Sequence, residues 1–155
     1  MNGPLDKSLE VVFSYEAPEA SPGFMLWQTT VLWQRLIKKT LEPFELSHAQ
    51  FVVMAILLWF REAAQQAAQS DLVQASKLDK MTVSKALKEL VARGYVMRQE
   101  NPRDSRAKCV QLAEEGRVLI TKIVPLVERA DEDFFARLSA DERMHVLGAF
   151  KRLSG

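Results

Sequence analysis

Several residue types and segments that carry chemistry are scarce in this chain of 155 residues. It has one cysteine, Cys109, which excludes an internal disulfide, and its two histidines have no cysteine or carboxylate partners at metal-ligand spacing. There is no run of about 18 or more apolar residues, and the N-terminus lacks the basic start and apolar block of a secretion signal. We therefore expect no metal site, no membrane span and a cytoplasmic location.

Signatures of catalysis are also missing from the sequence. It contains no Ser/His/Asp constellation, phosphate-binding loop or nucleotide-binding fingerprint. We therefore expect no catalytic residues, no cofactor and no enzymatic activity. What the chain does have is an apolar share of 48%, enough to build a core, in a length that suits one domain or a small domain with a dimerisation region.

The charge is nearly balanced overall but unevenly distributed. The formal net charge is +1, yet residues 77–108 contain nine Lys/Arg against four Asp/Glu, a net of +5. The rest of the chain therefore carries −4. A contiguous basic segment is typical of a nucleic-acid-binding face, and the alternative interpretation is an ordinary solvated surface.

Helix-start signals divide the chain into segments. Ser21 followed by Pro22 predicts an N-cap with proline at the first helical position, and Ser47 and Ser139 each begin a capping box. The helix after Pro22 is apolar on more than one face, which favours cover from a second subunit.

Two segments leave alternatives open. The run AAQQAAQ at 63–69 is either a helical extension or a loose connection. A long helix is expected over about 114–138, and Pro125 inside it either bends the helix or ends it.

Residues 70–94 have the pattern of a helix-turn-helix. Ser70 is the expected N-cap of the first helix, Asp79 is that of the second, and Gly94 suits the left-handed conformation that ends it. The second helix has an apolar stripe formed by Val83, Leu87, Leu90 and Val91. Its opposite face is formed by Met81, Ser84, Lys85 and Lys88. Two short helices, the second with a free polar and basic face, predict a helix-turn-helix.

A β-hairpin with a basic tip is expected next. Residues 95–100 and 107–112 are the predicted strands, and NPRDSR at 101–106 is the predicted turn. Because a hairpin tip has no core to fill, its side chains are free to contact a partner; the alternative is a flexible, solvated end. Beside a helix-turn-helix, such a hairpin is expected to be the wing of a winged helix.

These features together resemble the MarR family of bacterial transcriptional regulators. The resemblance is carried by the run Leu78-Asp79-Lys80-Met81-Thr82-Val83-Ser84-Lys85, by Leu90, Gly94 and Val96, and by Pro102, Asp104, Arg106, Val110, Leu112 and Gly116. It covers motif detail over about 70–117 and helix order over about 22–153. Lys77 stands at a turn where the family often has glycine or asparagine, and Ala113 stands where it commonly has threonine.

The resemblance implies a sequence-specific regulator that binds double-stranded DNA. The expected protein is a homodimeric repressor of a pseudo-palindromic operator, modulated by a small apolar or phenolic ligand. Asp104 is expected to support the wing, and Arg106 to enter a minor groove. The expected DNA-contacting residues are Lys80, Met81, Thr82, Ser84, Lys85, Lys88, Arg103, Arg106 and Lys108. The alternative is a winged-helix module that binds protein partners without contacting DNA.

The expected fold is mainly α with a small β-hairpin wing, a winged helix-turn-helix with N- and C-terminal dimerisation helices. The expected parts are an N-terminal tail (1–21), an N-terminal dimerisation helix (22–46), a winged helix-turn-helix domain (47–113) and C-terminal dimerisation helices (114–155).

Five further residues carry weaker hypotheses. Trp27, Phe51 and Trp59, together with Trp33, are candidates for an aromatic ligand pocket of the kind that the family resemblance implies, with core packing as the alternative explanation. Cys109 is expected to be structural rather than a redox sensor, because reactivity needs a basic and accessible environment.

Overall fold

The structure is a computed structural model that describes residues 12–101 and 104–155; the side chains at 100–108 lie outside this description. The helices are α1 (Pro22–Leu41), α2 (His48–Glu62), α3 (Gln69–Ser76), α4 (Lys80–Ala92), α5 (Glu114–Phe135) and α6 (Ala140–Ser154). The strands are β1 (Ala67–Ala68), β2 (Val96–Asn101) and β3 (Asp104–Leu112), and short 3-10 helices at Pro18–Ala20 and Glu42–Phe44 flank α1. The predicted fold, mainly α with a small wing, is confirmed.

Three of the helices start with a side-chain cap, as predicted. The Ser21 hydroxyl accepts a hydrogen bond from the Phe24 amide at the start of α1. Ser47 and Gln50 form a reciprocal capping box at α2, with bonds of 3.1 and 3.0 Å. Ser139 forms the same arrangement with Glu142 at α6. Each cap satisfies backbone amides that a helix start leaves without an intrahelical partner.

One apolar core joins the helices that precede and follow the helix-turn-helix. Helix α5 packs on both α1 and α2, and α2 packs in turn on α3 and α4. The largest fully buried side chains are Ile37, Leu41, Val53, Met54, Leu72, Val83, Leu87, Leu90, Ile120 and Ile123. Each contributes about 1.5–3 kcal/mol through removal from water. The orientation of α4 is therefore fixed by the same core that fixes α5.

The sheet has one strand more than the sequence predicted. Its order is β1-β3-β2, with both neighbouring pairs antiparallel. Strand β1 lies within the run at 63–69. Neither of the two alternatives for that run, a helical extension or a loose connection, describes all of it. Its two alanines pair with Val110 and Cys109. A two-residue strand of alanines has no alternating pattern, which is why its sequence did not predict it.

The predicted hairpin turn at 101–106 is too long. Strand β3 begins at Asp104, which pairs with Asn101, and a register shift falls between Glu100 and Asn101. The charged residues after Pro102 suggested a turn, but backbone pairing in an outlying hairpin does not require apolar side chains.

One predicted helix boundary is corrected, and one alternative that the sequence left open is decided. Ser70 is not the cap of α3, because the N-cap is Ala68, two residues earlier, and the Asp71 carboxylate accepts a hydrogen bond from the Ala68 amide at 2.7 Å. Pro125 does not end α5, which continues to Phe135. Packing of α5 on two neighbouring helices compensates for the one backbone hydrogen bond that proline cannot donate.

Within the described residues, no single helix combines the length and apolar character needed to cross a membrane. The segment Pro22–Phe44 and α2 satisfy that criterion only as a pair, across a bend of 79°.

A close backbone contact locks the start of α5 against the end of the helix-turn-helix. Gly116 is buried directly over the Tyr95 carbonyl, where a β-carbon would overlap the backbone. The same carbonyl accepts a 2.9 Å hydrogen bond from the Ala113 amide. Only glycine permits this approach, so Gly116 sets the position of α5 relative to β2.

Replacing this glycine should be strongly destabilising. We expect Gly116→Ala to lower the free energy of unfolding by at least about 2 kcal/mol, because the methyl group meets rigid backbone rather than a mobile side chain. Gly148 is the matched control, since a β-carbon there meets no atom within 4 Å. Gly148→Ala should be neutral or stabilising by up to about 1 kcal/mol. Denaturant unfolding measures both, and equal effects would contradict the assigned contact.

Candidate nucleic-acid interface

Helix α4 has one buried face and one free face. Val83, Ala86, Leu87 and Leu90 are buried, whereas Val91 at the edge of the predicted stripe is 38% exposed. The opposite side presents Lys80, Met81, Ser84, Lys85 and Lys88, all of them exposed. Met81 is 83% exposed, an unusual position for so apolar a side chain. The apolar stripe therefore turns a polar and basic surface away from the core.

The first turn of α4 is capped by a carboxylate, as predicted. Asp79 accepts hydrogen bonds from the Thr82 amide at 2.8 Å and from the Thr82 hydroxyl at 2.7 Å. The bond from the hydroxyl, together with that from the amide, holds the pKa of Asp79 below its usual range. Because its proton is already donated to Asp79, the Thr82 hydroxyl is occupied as a donor, and Ser84 is the freer hydroxyl on this face.

A buried amide connects α4 to α2. Gln50 is only 6% exposed and donates a hydrogen bond from Nε2 to the Glu89 carboxylate. Its Oε1 accepts a hydrogen bond from the Ser47 amide. Glu89 also lies 3.9 Å from the Lys85 ammonium. The Gln50 side chain is thus satisfied at both ends and couples the first turn of α2 to the last turn of α4.

Arg93 connects the end of α4 to the loop after α1. Its guanidinium donates to the Glu45 carbonyl at 2.6 Å and to the Phe44 carbonyl at 3.3 Å, and it lies 5.0 Å from the Tyr95 ring centroid. The sequence marked Arg93 only as one charge of the basic segment. Its role in positioning α4 depends on a contact 48 residues away, which no local pattern reveals.

The turn before α4 and the start of α5 each contain a residue type that is uncommon at its position. Lys77 adopts a left-handed conformation with φ of 61°, where glycine or asparagine is favoured. Ala113 occupies the N-cap of α5 without a side-chain hydrogen bond. Glu114 instead binds Arg117 within the first turn, and this hydrogen bond lowers the pKa of Glu114.

The predicted wing follows α4 in the chain, but the structure does not describe the side chains of its tip, at 100–108. Arg103 lies outside the described residues. For Asp104, Arg106 and Lys108 the structure gives only the backbone, which belongs to β3. Their predicted contacts therefore stay predictions.

Comparisons with known proteins agree with this geometry. Residues 42–129 match the family model described as the ArnR1-like winged-helix domain. The chain is 36% identical over 122 residues to the uncharacterised HTH-type transcriptional regulator YdcH of Bacillus subtilis, covering 79% of this chain and 83% of that protein. The chain belongs to the MarR family of winged helix-turn-helix transcriptional regulators.

Two solved structures place this family member among its structural relatives. BpsR of Bordetella bronchiseptica, whose DNA binding is regulated by 6-hydroxynicotinic acid, aligns with a TM-score of 0.82 and 26% identity over 92% of this chain and 98% of that one. A mutant of MarR from E. coli complexed with operator DNA aligns with a TM-score of 0.75 and 24% identity over 84% of this chain and 91% of that one, which shows the shared fold.

An aromatic cleft lies between α1, α2 and α5 of this MarR-family chain. It has a volume of about 470 Å³ and includes three of the four aromatic residues that the sequence suggested, Trp33, Phe51 and Trp59. Trp27 does not line it and is 68% exposed on α1. Trp33 also connects this cleft to the core, against which it packs.

Trp33 is held in place by polar and aromatic contacts. Its indole Nε1 donates to the Asp131 carboxylate at 2.8 Å, which joins α1 to α5. The ring lies 5.2 Å from the His48 imidazole, whose pKa is lowered by burial. Since Trp33 and Asp131 line both this cleft and a second groove, the pair forms the wall between them.

The second groove is apolar and lies between α1, the end of α5 and α6. Its volume is about 510 Å³, and its lining includes Leu26, Phe134, Val146, Leu147 and Phe150. Helix α6, which is wholly described, has no buried residue. Large apolar side chains on α1 and α6 therefore remain exposed within a single chain.

Cys109 lies on β3 beside a smaller cavity and is partly exposed, with its thiol 3.6 Å from the Gln66 side-chain oxygen.

Among the described residues, no group of three or more His, Cys, Asp or Glu side chains is arranged to hold a metal ion.

The Asp79 cap predicts a specific pH dependence. The folded-state pKa of Asp79 is lowered, so its stabilisation is present above the usual aspartate pKa and is lost as the pH falls through the folded value. We expect the melting temperature of the wild type to exceed that of Asp79→Ala at about pH 7, and the difference to shrink towards about pH 3.

Asp79→Asn is the control for this experiment, because a neutral asparagine also caps helices. The difference in melting temperature between Asp79→Asn and Asp79→Ala should not change with pH. A pH-independent difference for the wild type would contradict the role of the ionised carboxylate.

Proposed function

We propose that this regulator is a homodimeric repressor that binds a pseudo-palindromic operator and is released by a small apolar or phenolic ligand. The free face of α4 is the observation that carries the proposal. The exposed residues Lys80, Met81, Ser84, Lys85 and Lys88 occupy the side of α4 opposite its buried stripe. A helix presented in this way fits the major groove of B-DNA.

The proposed contacts of α4 divide into those that attract DNA of any sequence and those that distinguish one base from another. Lys85 and Lys88 would reach phosphates, and their contribution is electrostatic. Met81 offers an apolar contact to a thymine methyl group, and Ser84 a hydroxyl to a base edge. Thr82 contributes chiefly through the cap at Asp79, which holds the first turn of α4 in position.

The wing would add a second contact in the adjacent minor groove. Arg103, Arg106 and Lys108 supply the cations of this contact, and Asp104 braces the tip. An arginine at such a site benefits from the negative potential of a narrow minor groove. The mutant MarR bound to operator DNA supports this mode of binding for the shared fold.

The second groove supports a homodimer. Its apolar lining on α1 and α6 is exposed in one chain, and a second copy is the simplest cover for it. Two copies would place two α4 helices on half-sites roughly one helical turn apart.

The aromatic cleft supports control by a ligand. Phe51 and Trp59 line a space of about 470 Å³, within the usual range for small-molecule sites. The ligand regulation of BpsR supports the same kind of control here, and Trp27 then belongs to the surface outside this cleft. We place this repressor in the cytoplasm and assign it no enzymatic activity.

DNA binding is the direct test. In an electrophoretic shift experiment with DNA fragments selected from a genomic library, the protein should retard specific duplexes in a salt-sensitive way. The absence of salt-sensitive binding to any duplex would favour a module for protein partners instead.

Two substitutions should weaken this binding in the same electrostatic manner. We expect Lys85→Ala and Arg106→Ala each to reduce affinity by about tenfold for all operators alike, since each removes a phosphate or groove contact twice per dimer. For lost phosphate contacts, the slope of log K against log salt should also fall by up to about 1.8.

Lys151→Ala on α6 is the matched control, because it removes a lysine far from α4 in the chain and should leave affinity and slope unchanged. Unchanged affinity and slope for Arg106→Ala would show that the wing assignment is wrong. The same result for Lys85→Ala would contradict the assignment of α4.

The dimer should depend on the apolar groove. We expect Leu147→Glu to weaken self-association by at least about 100-fold, because a carboxylate would be buried against apolar side chains. Sedimentation velocity at micromolar concentration measures this change. Gln74→Glu, on the exposed surface of α3, is the control and should stay dimeric. A dimeric Leu147→Glu, or a monomeric wild type, would contradict the assigned interface.

A further inference from the structure

The aromatic cleft has apolar walls, and the ionisable side chains that line it are all acidic. Trp33, Phe51 and Trp59 supply the aromatic surface, and aliphatic side chains from α2 and α5 supply most of the rest. The ionisable side chains that line it are Glu62, Glu128 and Asp131, all acids. Among the described residues, no lysine, arginine or histidine lines the cleft.

The three carboxylates are not held in salt bridges by the described residues, although Glu62 is close enough to Arg117 to help the Glu114 hydrogen bond raise the pKa of that guanidinium. Within the described part of the chain, none of them forms a salt bridge, although Arg61, Lys85 and Arg117 do pair with other acids. Asp131 accepts the Trp33 indole hydrogen bond through Oδ1, which aligns the carboxylate with the aromatic wall. The negative charge of Glu128 and Asp131, and the part of the Glu62 charge that Arg117 does not offset, is therefore available to a ligand in the cleft.

We infer that the effector of this regulator is an aromatic amine that carries a positive charge near neutral pH. The inference rests on the proposed effector role of the cleft and specifies the charge of the ligand. A protonated amine gains from tryptophan faces and from carboxylates together. A carboxylate ligand of the same shape meets like charge and finds no cation in the described lining.

The size of the cleft limits the ligand further. About 470 Å³ accommodates one or two rings with a short side chain, and the apolar lining favours a ring seated against Phe51 and the tryptophans. Glu62 and Glu128 are exposed and stand where the amine of such a ligand would meet solvent. Their contribution is therefore sensitive to salt.

Three phenols of matched shape isolate the effect of charge. Tyramine carries an ammonium group, phloretate carries a carboxylate on a side chain of similar length, and para-ethylphenol is neutral. Isothermal titration calorimetry of the full chain at low salt should rank tyramine tightest and phloretate weakest. We expect tyramine to bind at least about tenfold more tightly than phloretate, with the difference narrowing at high salt.

Substitutions of the acids test the cause of that preference. The double variant Glu62→Gln, Glu128→Gln keeps the side-chain shapes and should reduce the preference for tyramine to within about threefold, with para-ethylphenol unchanged. Glu115→Gln, an exposed position of α5 outside the cleft, is the control and should keep the full preference.

The outcomes separate this inference from the proposed function. Phloretate binding as tightly as tyramine, or a preference that survives the double substitution, overturns the inference and leaves the cleft as an effector site. If none of the three phenols binds, both the inference and the effector role of the cleft fail. Operator binding in the shift experiment then reports independently whether the DNA-binding assignment stands.

Discussion

Burial of one face of α4 is the constraint on which the rest of the structure depends. Val83, Leu87 and Leu90 enter a core shared with α2 and α5, and their removal from water is worth several kcal/mol, at about 1.5–3 kcal/mol for each side chain. A helix held on this side can rotate very little. The lysines and the exposed methionine of the opposite side are therefore presented in a fixed arrangement, which base recognition requires.

Polar contacts refine the position that the apolar stripe sets. Asp79 fixes the first turn of α4, Gln50 holds its last turn through Glu89, and Arg93 connects its end to the loop after α1. The cleft lies close to the same network, because Trp33 contacts His48 in the first turn of α2, two residues from Gln50. A ligand that displaced Trp33 would act on the turn of α2 that holds α4, which gives the proposed regulation a physical route.

The sequence was informative where the determinants are local. Caps at Ser21, Ser47, Asp79 and Ser139 were predicted because the cap and its partner lie within three residues. The two faces of α4 followed from helical periodicity, and the short wing strands from alternation. The family resemblance supplied the expected roles of the wing residues, whose side chains lie outside the described part of the chain.

What the sequence did not predict depends on distant partners. The contacts that Arg93, Gln50 and Trp33 make join residues 39 to 98 positions apart, so no local pattern predicts these contacts. Strand β1 forms only because β3 offers it an edge, and α5 continues through Pro125 because neighbouring helices hold it. The negative lining of the cleft likewise arises when α2 and α5 bring their acids together.

Lysine modification read by mass spectrometry tests the central claim most directly, because DNA shields the ammonium groups that it covers. With a selected operator duplex bound, acetylation should slow at Lys80, Lys85 and Lys88 and stay unchanged at Lys38, Lys39 and Lys151. Protection of the α1 and α6 lysines, with those of α4 modified as fast as in the free protein, would contradict the account.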